Sequence, residues 1–287
     1  MFGAIVGDIL GSSLEFEERK YENIDDIDLY NVENHFTDDT VLTLAVADWL
    51  LHDIDKYYYN DEKLKEALGK RFVKWTQKYR MRKLAYGNSY IQWFFRAELV
   101  DEYDPYQSFG NGSAMRVSPV GWYFDTLEET LRFAKISADV THNHPEGQKG
   151  AMCIAAAIFL ARNRYNKSQI RDYLIRAFGY QELMTPLRIL RDAHKRECTC
   201  QSTVPHSVVC FLESNDFESA VRWAISFGGD TDTMAAMAGG IAEAYYDGIP
   251  IELLDYAKKD LDLDALLLCD AFFNSLRSKG KYNESVR

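Results

Sequence analysis

Glycine recurs at every fourth position near the start of the chain, at Gly3, Gly7 and Gly11. Residues spaced by four lie on one face of an α-helix, so the segment predicts a helix with a glycine face. Glycine in a helix interior costs about 1 kcal/mol relative to alanine, and close packing against another helix compensates for that cost. Two further segments, 151–157 and 234–244, are also rich in small apolar residues. We therefore expect all three segments at the centre of the fold.

Helical periodicity dominates the rest of the chain and predicts an all-α protein of many short to medium helices. A capping box begins at Thr126, and apolar residues follow it at helical spacing. Ser168 is predicted to cap a helix that ends at Gly179, and Asp216 is predicted to cap another. The best strand candidate, 203–212, is ambiguous, because its alternation of apolar and polar residues is weak.

No linker or internal repeat divides the 287 residues, so we predict a single domain over 1–287. No apolar run reaches the roughly 20 residues of a membrane span, and the apolar N-terminus lacks the basic region of a signal peptide. The five cysteines show no framework or zinc-site spacing, which favours reduced thiols and a cytoplasmic protein. A net charge of -11 makes bulk nucleic acid a poor partner. A monomer is expected, because no exposed apolar stripe is left unassigned.

Two aspartate pairs stand directly before apolar runs, in TDDT at 37–40 and in GGDTDT at 228–233. Helix capping explains one such motif, because Thr and Asp side chains accept hydrogen bonds from a first helical turn. Two of them, each opening a buried helix, gather carboxylates that repel one another and need a counter-charge. Oxygen ligands without Cys or a His pair suit Mg²⁺, Mn²⁺ or Ca²⁺ rather than Zn²⁺. Four Asp and two Thr are enough for two ions.

Other polar segments could serve the same site. Asp8 fits a buried hydrogen-bonding role as well as a reactive one, and Glu15 stands where the first helix should end, facing either a cleft or solvent. The glycine-rich turn 109–116 offers backbone N–H groups that could hold a phosphate. Within it, Arg116 suits a phosphate or a buried carboxylate. The histidines of THNHP at 141–145 could bind metal, although a hydrogen-bonding loop is the favoured interpretation.

Five segments occur in the order known from one enzyme family. They are GDILGSSLEF, TDDT, GNGSAMR, THNHPEGQKGA and SFGGDTDTMAAMAGGIAEAYY. On these motifs the chain resembles the ADP-ribosylglycohydrolase family over about residues 1–250, and 251–287 carries no assignable motif. The resemblance implies a compact orthogonal multi-helix bundle with a binuclear Mg²⁺ site, or Mn²⁺, in a central cleft. It also implies hydrolysis of the glycosidic bond between ADP-ribose and an acceptor, either a modified protein side chain or a small-molecule conjugate.

The resemblance also assigns roles to single residues. The metal ligands that it implies are Thr37, Asp38, Asp39, Asp230, Asp232 and Thr233. The substrate-binding residues that it implies are Asn111, Gly112, Ser113, Met115, Arg116 and His142. Glu15 matches an acid that approaches the reacting centre in some relatives, and the candidate catalytic carboxylates are Glu15, Asp38 and Asp232. The short acidic loop that follows Glu15 leaves open whether this region gates the cleft.

Two other interpretations of these residues stay open. A two-metal nucleotide phosphohydrolase would use the same aspartates, and release of phosphate instead of ADP-ribose would distinguish it. A non-catalytic ADP-ribose-binding or structural relative would gain thermal stability from metal without turnover. All six ligand positions are filled in this chain, which argues against a loss of activity.

Overall fold

Helices joined by loops make up the part of the chain that the computed structural model describes, residues 1–82 and 84–280. Two 3₁₀ turns, Ile24–Asp26 and Gln181–Met184, accompany the α-helices, and these residues contain no β-strand. None of the described helices is both long and apolar enough to span a bilayer. The predicted all-α class is confirmed. The α-helices are α1 (Phe2–Ser12), α2 (Asp38–His52), α3 (Ile54–Tyr57), α4 (Asp61–Lys78), α5 (Asn88–Val100), α6 (Gly112–Met115), α7 (Ser118–Tyr123), α8 (Leu127–Asp139), α9 (Pro145–Arg162), α10 (Lys167–Phe178), α11 (Leu187–Ala193), α12 (Cys200–Glu213), α13 (Phe217–Ile225), α14 (Thr231–Tyr245), α15 (Ile251–Lys258) and α16 (Leu263–Ser278).

Helices α1 and α14 lie against each other at the centre of the fold, and every residue of α1 is buried. The glycine face of α1 makes the contact. A Cβ atom added at Gly7 would lie 2.1 Å from the carbonyl oxygen of Ala235, and one added at Gly3 would lie 2.3 Å from that of Gly239. No side chain fits between the two backbones, so the predicted close packing of this face is confirmed.

Adding one methyl group to this contact should destabilise the fold. We expect Gly7→Ala to lower the free energy of unfolding by about 2 kcal/mol or more, because overpacking forces backbone shifts. Gly87→Ala is the matched control, since a Cβ atom there meets no other atom within 4 Å. Thermal denaturation followed by circular dichroism measures both variants. A Gly7→Ala protein as stable as the Gly87→Ala protein would contradict the contact.

The predicted caps of α8 and α13 and the predicted end of α10 are confirmed. Thr126 accepts a hydrogen bond from the first turn of α8, and Asp216 does the same at α13. Gly179 ends α10 in the left-handed conformation, with φ of 75°. The predicted cap of α10 was wrong by two residues: Asn166, not Ser168, precedes the helix. Its side chain accepts from the third helical residue, which places the first turn two residues earlier.

The ambiguous segment 203–212 lies inside helix α12. Its buried residues Val204, Val208 and Phe211 recur at helical spacing and face the core. Pro205 stands in the second turn of the helix, which begins at Cys200. Packing of this apolar face therefore favours a helix, and the weak alternation of apolar and polar residues does not indicate a strand.

The C-terminal helices α15 and α16 complete the core and reach the first aspartate motif. Phe273 stacks on Phe2 with ring centroids 5.2 Å apart. Asp260, between the two helices, accepts a hydrogen bond of 2.7 Å from the backbone N–H of Phe36. Arg82 donates to Asp260 at 2.8 Å and lies 3.8 Å from the centre of the Phe36 ring. The C-terminal segment, which carries no family motif, therefore stabilises the turn before α2 through Asp260.

Helix α5 exposes apolar side chains on one face. Ile91, Phe95 and Leu99 recur every four residues and are 36%, 43% and 77% exposed. The opposite face of the helix is buried, with Tyr90 and Trp93 in the core. The expectation that no exposed apolar stripe is left unassigned was therefore wrong, and with it the reasoning that predicted a monomer.

Candidate metal centre and ligand cleft

The two aspartate motifs meet where α2 and α14 begin. The Thr37 hydroxyl oxygen lies 3.3 Å from Asp232 Oδ2, and the Thr233 hydroxyl donates to Asp39 Oδ1 at 3.2 Å. Each motif thus places a hydroxyl beside a carboxylate of the other. Segments almost 200 residues apart in the chain form one site, as the sequence predicts from two carboxylate pairs that each open a buried helix.

Asp8 accepts hydrogen bonds from the first aspartate motif, TDDT at 37–40. Its Oδ1 accepts from the Thr37 hydroxyl at 2.8 Å, and its Oδ2 accepts from the backbone N–H groups of Thr37 and Thr40 at 3.0 Å each. The Thr40 hydroxyl adds a further bond of 2.5 Å. Asp8 is fully buried, and all four donors come from the first turn of α2 and its cap. The sequence allowed Asp8 either a buried hydrogen-bonding role or a reactive role, and the structure supports the hydrogen-bonding role.

The loop that carries Glu15 is attached by its backbone to the second motif. The N–H of Phe16 donates to the carbonyl of Gly229 at 2.7 Å, and the N–H of Gly229 donates to the carbonyl of Glu17 at 2.6 Å. Gly228 and Gly229 have φ of 70° and 77°, a region that favours glycine. Phe16 shares this region with φ of 70°. Of the two positions that the sequence allows for Glu15, facing a cleft or facing solvent, the structure shows the first, because Glu15 lines the cleft.

Five carboxylates form what we call the acidic cluster. Its members are Glu15, Asp38, Asp39, Asp230 and Asp232. Oxygen atoms of Glu15, Asp230 and Asp232 lie within 4.8 Å of one another. Burial, and then repulsion by neighbouring carboxylates, raises the pKa of Glu15 to about 8 and that of Asp38 to about 7. The same two causes raise the pKa of Asp39 and of Asp232.

Two oxygen atoms of the acidic cluster lack hydrogen-bond partners. Asp39 Oδ2 and Asp232 Oδ1 are buried, and no donor among the described residues reaches them. A buried carboxylate oxygen without a donor costs free energy, and a cation removes that cost. Hydroxyl and carboxylate oxygens are the ligands that Mg²⁺ and Mn²⁺ prefer. The acidic cluster could therefore hold a divalent cation.

The raised pKa values predict how stability depends on pH without metal. The folded-state pKa values of Asp38 and Glu15, about 7 and about 8, exceed the reference values of 3.8 and 4.5. Their contribution to stability is therefore fully present below the unfolded pKa and is lost as the pH rises through the folded pKa. We expect the Tm of EDTA-treated protein to fall between about pH 5 and about pH 8. Mg²⁺ should raise Tm more at pH 8 than at pH 5, because its ligands must be deprotonated.

The control for this pH series is the Asp230→Ala, Asp232→Ala double variant in EDTA. With two of the five carboxylates removed, less repulsion remains at high pH, so its Tm should depend less on pH than that of the wild type. A wild-type Tm in EDTA that rises across this range would contradict the assignment of these carboxyl groups.

A cleft of about 440 Å³ extends from the acidic cluster to the glycine-rich turn. Asp38, Asp39, Asp230, Asp232 and Thr233 line its acidic end. Thr37 lies behind them, with its hydroxyl between Asp8 and Asp232. From the predicted substrate-binding set, the cleft is lined by Asn111, Gly112, Met115, Arg116 and His142.

The glycine-rich turn is tied to the acidic cluster and to its neighbours. Asn111 donates from Nδ2 to Asp230 Oδ2 at 2.7 Å. Ser113 is fully buried and donates its hydroxyl to the carbonyl of Gly147 at 2.7 Å, so its side chain supports the turn. The backbone of the turn also pairs with 198–200, where the N–H of Asn111 donates to the carbonyl of Cys198 at 3.0 Å. The turn is therefore held from three sides.

The two histidines of 141–145 have different positions. His144 caps α9, because its Nδ1 accepts from the backbone N–H of Glu146 at 3.2 Å, which confirms the hydrogen-bonding interpretation of this residue. His142 lines the cleft beside the glycine-rich turn, where a Cβ atom added at Gly112 would lie 3.0 Å from its Nε2. Neither histidine belongs to the group of possible metal ligands found among the described residues.

One wall of the cleft has no counterpart in the sequence predictions. Residues 85–90 line it, and the rings of Tyr86 and Tyr90 stack with centroids 5.1 Å apart. Tyr106 and Phe16 add two more aromatic side chains. No charge pair or glycine pattern marks these residues, and aromatic density around 86–90 is the only signal that could have pointed to them.

Known proteins resemble this chain in sequence and in fold. A family model described as ADP-ribosylglycohydrolase matches residues 1–281. ADP-ribosylhydrolase ARH3 of Homo sapiens is 25% identical, over 86% of this chain and 85% of that protein. ADP-ribosylarginine hydrolase Tri1 of Pseudomonas putida (strain GB-1) is 26% identical, over 89% of this chain and 72% of that protein. A solved structure described as an ADP-ribosylglycohydrolase-related protein complex shares the fold, with a TM-score of 0.69 at 22% identity, covering 96% of this chain and 97% of that one.

Proposed function

The chain belongs to the ADP-ribosylglycohydrolase family, and from that premise we propose that it hydrolyses the glycosidic bond between ADP-ribose and a modified acceptor. The acceptor that we propose is a protein side chain, with small-molecule conjugates as the other class. One observation carries the proposal: the acidic cluster and the glycine-rich turn line the same cleft, so a single ligand can contact both. We further propose that residues 1–287 form one domain and act in the cytoplasm.

We propose two Mg²⁺ ions as the cofactor, with Mn²⁺ as a substitute. The residues that would hold them are Thr37, Asp38, Asp39, Asp230, Asp232 and Thr233. When bound, such ions supply positive charge that orients the ribose hydroxyls and lowers the pKa of a water molecule. The partnerless oxygens of Asp39 and Asp232 and the raised pKa values of the acidic cluster support this part of the proposal.

In the reaction, water adds to C1 of the ribose, the bond from C1 to the acceptor breaks, and the acceptor leaves with a proton. The sugar passes through an oxocarbenium-like state, whose positive charge carboxylates stabilise. Glu15 is our candidate for the proton transfers, because it is a carboxylate that lines the cleft with its oxygen within 4.8 Å of those of Asp230 and Asp232. Asp38 and Asp232 are the other candidates, and they contribute negative charge beside C1.

The far end of the cleft would hold the rest of ADP-ribose. Gly112 offers space at the turn, Asn111 and Met115 line it, and His142 faces the same space. Aromatic side chains of the opposite wall, Tyr86 and Tyr90, can pack against the ligand through their ring faces. These residues would orient the ligand so that C1 of the ribose next to the acceptor lies at the acidic cluster.

Product analysis tests the proposed bond cleavage. Protein substrates ADP-ribosylated on arginine or on serine are incubated with the full chain and Mg²⁺, and the products are separated by chromatography. We expect free ADP-ribose together with unmodified acceptor protein. Release of phosphate or AMP would instead favour the nucleotide phosphohydrolase. Binding of ADP-ribose without any product would favour a non-catalytic binder.

The glycine-rich turn gives a second prediction. Gly112→Val should weaken ADP-ribose binding by at least about tenfold, because a Cβ atom would already lie 3.0 Å from His142 Cε1 and Nε2. Isothermal titration calorimetry with ADP-ribose measures the effect. Thr130→Val is the control, since Thr130 is buried and is not among the residues that line the cleft. Unchanged affinity in Gly112→Val would remove the turn from the binding site.

A further inference from the structure

Arg116 is a fully buried cation, and no carboxylate among the described residues forms a salt bridge with it. Its Nη2 donates to the carbonyl of Ser137 at 3.0 Å and to the hydroxyl of Thr141 at 2.8 Å. Its guanidinium lies 4.4 Å from the centre of the Phe72 ring. Burial lowers the pKa of Arg116 to about 10, so the group stays charged at neutral pH. The side chain is fully buried, and Arg116 is also among the residues that line the cleft.

The Thr141 hydroxyl connects Arg116 to His142. Its hydroxyl lies 2.7 Å from Nδ1 of His142. A guanidinium can only donate, so the Thr141 oxygen accepts from Arg116 and its single proton remains available for another acceptor. A hydroxyl that accepts from a cation is polarised and becomes a stronger donor. Tyr106 also forms a hydrogen bond with the Thr141 hydroxyl. The Tyr106 phenol can donate its own proton to the Thr141 oxygen, which leaves the Thr141 proton for His142.

The edge of the His142 ring that carries Nε2 lies against the glycine-rich turn. Cβ atoms added at Gly110 and Gly112 would lie 3.6 and 3.0 Å from Nε2, so these glycines leave the nitrogen open to the cleft. A neutral imidazole carries one proton, and the nitrogen that accepts a hydrogen bond leaves the proton on the other. Burial and the charge of Arg116 lower the pKa of His142, which keeps the ring neutral.

We propose that Arg116, acting through the Thr141 hydroxyl, fixes His142 as the tautomer protonated on Nε2, so that His142 presents one neutral hydrogen-bond donor to an oxygen of the ligand. Arg116 and Thr141 are thus positioning residues, a role that adds to the substrate-binding role that the sequence suggested for Arg116. The ligand oxygen belongs to a phosphate or a ribose hydroxyl, and only this identification rests on the proposed function. A lone pair at Nε2 would instead repel a phosphate oxygen.

Nuclear magnetic resonance of protein labelled with ¹⁵N-histidine reads the tautomer directly at pH 7.5. The chain has six histidines, so His142→Gln identifies the signals by their loss. We expect wild-type His142 to show a protonated Nε2 and an unprotonated Nδ1. Thr141→Val should mix the two tautomers and weaken ADP-ribose binding on the order of tenfold, whereas Thr141→Ser should restore both. The matched control is Thr130→Val, which removes the buried hydroxyl that donates to the carbonyl of Thr126 at 2.9 Å.

The tautomer measurement separates this inference from the proposed function, because it needs no ligand. A protonated Nδ1 in the wild type, or a Thr141→Val protein that keeps both tautomer and affinity, would overturn the inference. Wild-type protein with the expected tautomer but no affinity for ADP-ribose would overturn the proposed function and leave the tautomer assignment standing.

Discussion

The Asp230→Ala, Asp232→Ala double variant is expected to lose ADP-ribose release by at least about 10³-fold while staying folded and helical. Both residues belong to the acidic cluster, and their oxygens lie within 4.8 Å of Glu15. Mutation of even an outer partner of a metal ligand typically costs 10–100-fold in affinity or activity, so loss of two ligands should cost more. Turnover is measured by chromatography of ADP-ribose, and folding by circular dichroism.

Stability should move in the opposite direction to activity in this variant. Removing two buried carboxylates that repel their neighbours should leave the Tm in EDTA unchanged or raise it. Asp25→Ala with Asp26→Ala is the matched control, because both residues are exposed and the charge change is the same. The control should keep full turnover. Full activity in the Asp230, Asp232 variant would refute the proposed mechanism.

Glu15→Gln is expected to reduce turnover by about 10²–10⁴-fold, the range for removing a general acid or base. The change keeps the shape and volume of the side chain and removes its ability to exchange a proton. Affinity for ADP-ribose in the presence of Mg²⁺ should change only a few-fold, since Asn111, Gly112 and His142 lie in another part of the cleft. Single-turnover kinetics and calorimetry separate the two effects.

The neighbouring acid provides the control for Glu15. Glu17 is exposed, and it joins the second motif through its backbone carbonyl rather than its side chain. Glu17→Gln should therefore turn over as the wild type does. If Glu15→Gln kept wild-type turnover, the proton transfers would belong to another carboxylate, with Asp38 and Asp232 the next candidates.

The sequence predictions that the structure confirms depend on local patterns, such as the spacing of residues along one helix. The glycine face of α1 follows from the four-residue spacing alone, because a helix turns that spacing into one face. Both aspartate motifs begin helices, but only Thr37 caps its helix through its side chain, since Asp230 precedes α14 without such a bond. Because both helices were expected to be buried, their first turns were expected to lie close together, and the hydrogen bond from Thr233 to Asp39 shows that they do.

Other parts of the site depend on packing between distant segments, and no local pattern could reveal them. Asp260 binds the N–H of Phe36 only because α15 and α16 return to the start of α2. Arg116 stands in a glycine-rich turn, and only the folded structure shows that its buried guanidinium donates to Thr141. The apolar stripe on α5 was missed because periodicity identifies a buried face, not a second apolar face that stays exposed.

The measurement that tests the central claim most directly is the release of free ADP-ribose from ADP-ribosylated protein, first with Mg²⁺, then with EDTA, then with Mg²⁺ restored. We predict release with Mg²⁺, loss of release with EDTA, and recovery on restoration, because the acidic cluster provides the charge that a divalent cation neutralises. The same series on Asp230→Ala, Asp232→Ala should show no release at any stage. Release by the wild type that persists unchanged in EDTA would contradict a metal-dependent glycohydrolase at the acidic cluster.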